Sequence, residues 1–192
     1  MKNRIIVFII IWILITASLG YFDVFLKLPI QAFGSYVFII NILIVISYLK
    51  IKNLRSLINS IPLKLFAFIN IFRIFAGLLF LHFSDKLPEE FVYKAGYGDI
   101  VAGLLGASVF IFGHRKITYY LLNIFGLLDL VNALSIGMFL NITGNPKMEF
   151  AAQFPILFIP LFFVPLLIVT HINSLTRLPK IMETTLFELI QK

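Results

Sequence analysis

Six apolar runs constrain this chain more than any other feature. A helix of about 20 apolar residues crosses the ~30 Å hydrocarbon core of a bilayer, and each run has that length. They cover Arg4–Tyr21, Pro29–Leu49, Pro62–Phe83, Phe91–Gly113, Ile117–Leu140 and Phe150–Ile172. The connections between them are short, so successive helices are expected to be antiparallel neighbours. No internal repeat, low-complexity tract or interdomain linker interrupts the pattern.

Composition decides the solvent. Hydrophobic residues make up 60% of the 192 and charged residues 13%, against about 45–50% and about 25% in soluble domains. One core of this size cannot hide that much apolar surface. The expected fold is therefore an all-α polytopic bundle of about six transmembrane helices in a cell inner (plasma) membrane, with the bilayer as its main partner. Residues 1–174 form one bundle and residues 175–192 a tail.

The net charge of +7 is not read as a nucleic-acid interface. Lys and Arg fall in short clusters between apolar runs and build no continuous basic face. One side of the membrane takes Lys2, Arg4, Lys50, Lys52, Arg55, Lys64, Arg115, Lys116, Arg177, Lys180 and Lys192; the other takes Lys27, Lys86, Lys94 and Lys147. The basic excess marks the cytoplasmic side, which puts both termini there. Asp23, Asp85, Glu89, Glu90 and Glu149 lie on the poorer side.

Two end segments need separate treatment. Lys2 and Arg4 before the first run, and Thr16-Ala17-Ser18 at its end, give it some features of a signal peptide. It is long for a signal h-region and no clean small-x-small site follows, so it is read as a retained helix. In the tail, Leu178, Ile181, Met182, Leu186, Leu189 and Ile190 recur near helical spacing among Arg177, Lys180, Glu183 and Glu188. That pattern fits an amphipathic helix on the inner membrane surface, with a partner-binding helix as the alternative.

Three charged residues stand deep inside apolar runs, well away from the run ends: Arg73, Asp99 and Asp129. Facing lipid, each would cost about 2.5–3.5 kcal/mol on insertion scales. They are expected to turn inward and pair. At 1.5 Å per residue, Arg73 lies roughly 17 Å from Pro62, Asp129 roughly 18 Å from Ile117 and Asp99 roughly 21 Å from Gly113. All three thus sit near one depth. Asn70, Arg73 and Gly77 share a face of the third run, and Asn132 follows Asp129 by one turn. Ala95, Asp99, Ala102, Gly103 and Gly106 form a small-residue stripe on the fourth, which permits close helix approach.

One guanidinium against two carboxylates leaves one negative charge over. Two close carboxylates do not both ionise cheaply in low dielectric, so the cluster is expected to hold a proton or a cation. The candidate substrate- or ion-binding residues are therefore Arg73, Asp99, Asp129, Asn70 and Asn132. The competing reading is a buried polar triad that only fixes helix register.

Other patterns carry less. Gly96-Tyr97-Gly98-Asp99 looks like the end of a potassium-channel filter, yet Lys94-Ala95 precedes it, and a lysine beside a cation filter is electrostatically wrong. Pro155, Pro160 and Pro165 should bend or unwind the sixth helix by removing backbone donors, as in helices that line transporter cavities. His114 and His171 are placed at cytoplasmic helix ends and His82 at an outer one. A haem between His114 and His171 is considered and not expected, and no cofactor or metal is assigned. The chain has no cysteine, and no Ser-His-Asp order, His-Glu-x-x-His, P-loop or Rossmann glycine pattern, so an enzyme is the less favoured class.

Arg73…Ala76, Leu87-Pro88 with Phe91, Ala95-Gly96-x-Gly98-Asp99, Asn123-x-x-Gly126-x-Leu128-Asp129-Leu130 and Pro160…Pro165-Leu-Leu together resemble a group of small bacterial multi-pass membrane proteins. The resemblance covers about the last two thirds of the chain and implies a polytopic membrane protein, without an activity. The expected function is a proton- or cation-linked small-molecule transporter or binder. The alternatives are an accessory subunit of another membrane protein and a membrane-embedded redox protein or enzyme.

Overall fold

The computed structural model describes the backbone of residues 2–113 and 116–190 and the side chains of residues 6–113 and 116–179. The chain is all-α. The described residues form α1 (Lys2–Tyr21), α2 (Ile30–Lys50), α3 (Lys52–Asn59), α4 (Leu63–Ile71), α5 (Arg73–His82), α6 (Glu89–Phe112), α7 (Lys116–Ile142) and α8 (Val164–Ile190). Prolines open three of them: Pro29, Pro62 and Pro88 cap α2, α4 and α6 with extended ψ angles. A proline there gives up an N–H that the helix start would leave unpaired anyway. Glu89 and Glu90 fill the first turn of α6, where the helix dipole favours negative charge.

Five helical stretches are long and apolar enough to cross a membrane: Ile30–Lys50, Leu63–His82, Glu89–Phe112, Lys116–Ile142 and Ile159–Pro179. The apolar part of α1 with described side chains, Ile6–Tyr21, is shorter. Large apolar side chains such as Phe75, Phe112, Leu128 and Phe139 are exposed on the outsides of these helices. So wide an apolar exterior fits hydrocarbon and not water.

At the centre, α6 packs closely on α4, α5 and α7, while α8 packs on α7 and α2. The small residues of α6 allow it. A Cβ on Gly106 would stand 2.9 Å from the Ala67 carbonyl oxygen, and one on Gly103 would stand 2.8 Å from the Ile74 amide nitrogen. Helix α1 leans on the start of the last span, with Trp12 edge-on to Phe162 at 5.1 Å.

Two spans depart from the sequence expectation. The third is not one helix over Pro62–Phe83. It breaks at Phe72, whose amide bonds the Ile69 carbonyl at 3.2 Å before α5 restarts at Arg73. Neither proline nor glycine stands at the break, so no local signal announces it.

The last span does not begin as an α-helix at Phe150. Residues Pro146–Ala152 form a 3-10 turn, turns follow, and a π-helical turn over Ile159–Phe163 leads into α8. Pro155 and Pro160 withhold the donors that an earlier start would need. The Pro160 carbonyl accepts from Asn41 Nδ2 on α2 at 3.2 Å, which keeps it from facing hydrocarbon unpaired. At its other end α8 runs without a break through Pro179 to Ile190, so most of the expected tail continues the last helix.

The short helix α3 follows α2 directly. It half-buries Leu54, Leu57 and Ile58 and exposes Lys52 and Arg55. Side chains from three segments tie this end of the bundle together. Asn173 Nδ2 donates to the Tyr48 hydroxyl at 3.0 Å and to Asn59 Oδ1, and Arg177 Nη1 donates to the Ile61 carbonyl at 2.7 Å.

Candidate functional site

Arg73 stands at the first position of α5, immediately after the break, and its side chain enters the bundle. It is 2% exposed. Nε donates to Asp99 Oδ1 on α6 at 2.7 Å, Nη2 donates to Asp129 Oδ2 on α7, and Nη1 donates to the Gly126 carbonyl on α7 at 3.2 Å. Three of its five N–H groups therefore hold three helices together. Both carboxylates are nearly buried, with side chains 9% and 8% exposed for Asp99 and Asp129.

Glycines make room for the carboxylates and the guanidinium. A Cβ on Gly98 would overlap the Asp129 carboxylate. A Cβ on Gly126 would stand 2.6 Å from His171 Nε2 and 3.1 Å from Arg73 Nη1. The arginine and this histidine thus approach the same small gap from α5 and α8.

The structure brings together the three charges singled out in the sequence, but not the two asparagines. Asn70 is buried against Gly106, where its Nδ2 donates to its own helix at Phe66, 2.9 Å away, and its Oδ1 has no partner. Asn132 is exposed and does not join the cluster.

His171 requires a correction. It is not at a helix end but fully buried inside the bundle, 0% exposed. Its Nδ1 lies 2.9 Å from Asn123 Oδ1 on α7, and its Nε2 has no hydrogen-bond partner. Asn123 Nδ2 donates to the Tyr119 carbonyl at 2.7 Å, which turns Oδ1 toward the ring, so that Nδ1 donates to it. The expected helix start at Phe150 put this residue near the membrane surface. The prolines delay the helix and carry His171 inward. His114, the other histidine of that pair, lies outside the described residues. His82 is exposed beside Phe83. Among the described residues no group of His, Asp or Glu is placed to hold a metal ion.

One edge of the cluster is open. A cleft of about 650 Å³ lies between α4–α5 and the segment 154–167, with Arg73, Asp99 and Leu130 among its lining residues. The rest of its lining is apolar except for His82 at one end. Its rim includes Phe75, Leu78 and Phe154, all exposed, so it opens on the lipid-facing side. Asp99 also borders a narrow cavity of about 60 Å³ that reaches Asn141 between α2, α6, α7 and α8. The cleft thus sets a carboxylate, held by one arginine, against an otherwise apolar space.

No curated protein and no solved structure matches the chain. A family model described as a domain of unknown function, DUF8737, matches residues 30–179, a stretch that begins at α2, contains the whole charge cluster and ends at Pro179. The chain therefore belongs to the DUF8737 family of domains of unknown function.

Proposed function

We propose that the protein is a six-span membrane protein of a bacterial inner membrane, with α1 as the first span and both termini cytoplasmic. It binds a small molecule at the Arg73–Asp99–Asp129 cluster and links that binding to a proton or cation. The observation that carries this reading is the coincidence of a surplus carboxylate with the floor of the 650 Å³ cleft. Clefts of about 300–1,000 Å³ with few polar groups are the usual form of small-molecule sites. Charge inside a membrane is expensive to keep, which favours a working role.

The breaks at Phe72 and at Ile159–Phe163 both border this cleft, and discontinuous spans around a central site favour movement of the ligand across the membrane. Transport is therefore the fuller version of this reading. The rival is an accessory subunit in which the cluster only joins α5, α6 and α7. The three bonds of Arg73 favour that rival as far as packing goes.

Native mass spectrometry of the chain purified in mild detergent separates the two. A bound small molecule retained by the parent and lost from Asp99→Asn is the expected result. A chain that carries no small molecule and leaves the membrane only with another protein would sink the binding proposal.

A further inference from the structure

The cleft gives the ligand a chemical class. Its long wall follows the third span from Ile69 to His82, roughly 20 Å of helix and somewhat more than one leaflet of hydrocarbon. The facing wall carries Phe154, Phe158 and Phe163. Such a space, open to the bilayer, suits one flexible hydrocarbon chain. At its floor stand Arg73 and Asp99.

The floor selects the head of the molecule. Arg73 is already shared between two carboxylates, so an incoming anion would meet the surplus negative charge. A plain acyl chain would leave Asp99 against hydrocarbon, where charge is costly. A hard divalent cation needs six or more oxygen ligands, and the cleft lining is almost wholly apolar. A protonated amine answers each point, because it neutralises the surplus charge and donates to the Asp99 oxygen that Arg73 does not use.

Resting on the binding reading above, we propose that the site takes a single-chain amphiphile with a protonated amine head. The tail lies along the cleft and the ammonium group sits on Asp99. The molecule enters sideways from the bilayer, past Phe75 and Phe154.

The test uses the full chain in phosphatidylcholine nanodiscs, titrated with tetradecylamine and with tetradecan-1-ol, with occupancy read by native mass spectrometry. One amine per chain is expected, favoured over the alcohol by about tenfold or more, the factor a charge-assisted hydrogen bond supplies. Asp99→Asn should bring the amine down to the level of the alcohol. Ala76→Phe, which fills the cleft and leaves every charged group in place, should weaken both probes and covers the case in which Asp99→Asn fails to fold.

Equal binding of the two probes to the parent overturns the amine assignment, as does undiminished amine binding to Ala76→Phe. If the parent still carries a co-purified molecule that Asp99→Asn loses, the binding reading survives that failure. If it carries none, both readings fall together.

Discussion

At the residue scale, Arg73 ties α5 to α6 and α7 through three hydrogen bonds. Removing one member of a buried ion pair leaves an uncompensated charge and typically costs about 3–5 kcal/mol. Arg73→Met leaves Asp99 and Asp129 facing each other without a cation, and is expected to destabilise the bundle on that scale. The triple variant Arg73→Met/Asp99→Asn/Asp129→Asn removes the charges as well and should recover most of the loss. Thermal loss of the monodisperse peak in detergent checks both; an Arg73→Met chain as heat-resistant as the parent would refute the role given to the arginine. These three residues are legible in the sequence because the cost of charge in hydrocarbon does not depend on helix register. The Asn123–His171 pair is not legible, because placing His171 needs the true start of the last helix. Asn132 follows Asp129 by three residues and still faces outward, since the cluster lies at the edge of that face of α7.

At the scale of elements, close approach of α6 to α4 and α5 rests on glycine. The stripe Gly103 and Gly106 could be read in advance from spacing alone, since small residues every few positions on one face of an apolar helix mark a contact. Position 103 is the tighter test. A Cβ there stands 2.5 Å from Ile74 Cγ1 and 2.8 Å from the Ile74 backbone nitrogen, and backbone does not yield. Gly137 on α7 meets only Phe91 Cε2 at 3.4 Å and Met148 Cε at 3.9 Å. Gly103→Ala is therefore expected to cost about 1–3 kcal/mol by overpacking, and Gly137→Ala close to nothing. The comparison is read from unfolding midpoints of the two variants in the same detergent. Equal midpoints would mean that α5 and α6 are not held as closely as described. The break at Phe72 lies beyond such pattern reading. It has no helix-breaking residue, and coincides with the point where the Arg73 side chain leaves its helix for partners on two others. The π-turn at Ile159–Phe163 was half legible: the prolines foretold a disruption, but not that α2 would supply Asn41 to the Pro160 carbonyl.

For the whole molecule, the proposed orientation follows from charge outside the spans and not from any contact within them. Lys50, Lys52 and Arg55 cluster around α3, whereas Asp85, Glu89 and Glu90 lie at the opposite end of the span Leu63–His82. Basic loops stay on the cytoplasmic side during insertion, and acidic residues contribute little to that choice. The α3 end should therefore face the cytoplasm and the loop between α5 and α6 the outside. The chain has no cysteine, so a single introduced thiol reports one position. Ser60 and Ser84 are both exposed and are separated by the span Leu63–His82. A membrane-impermeant maleimide applied to intact spheroplasts should label Ser84→Cys and spare Ser60→Cys, and detergent should make both reactive. The reverse pattern would invert the molecule and place the α3 end outside. Equal labelling of both positions before detergent would mean that the basic excess does not fix one orientation, and a proton or cation gradient would then meet the cluster from opposite sides in different copies.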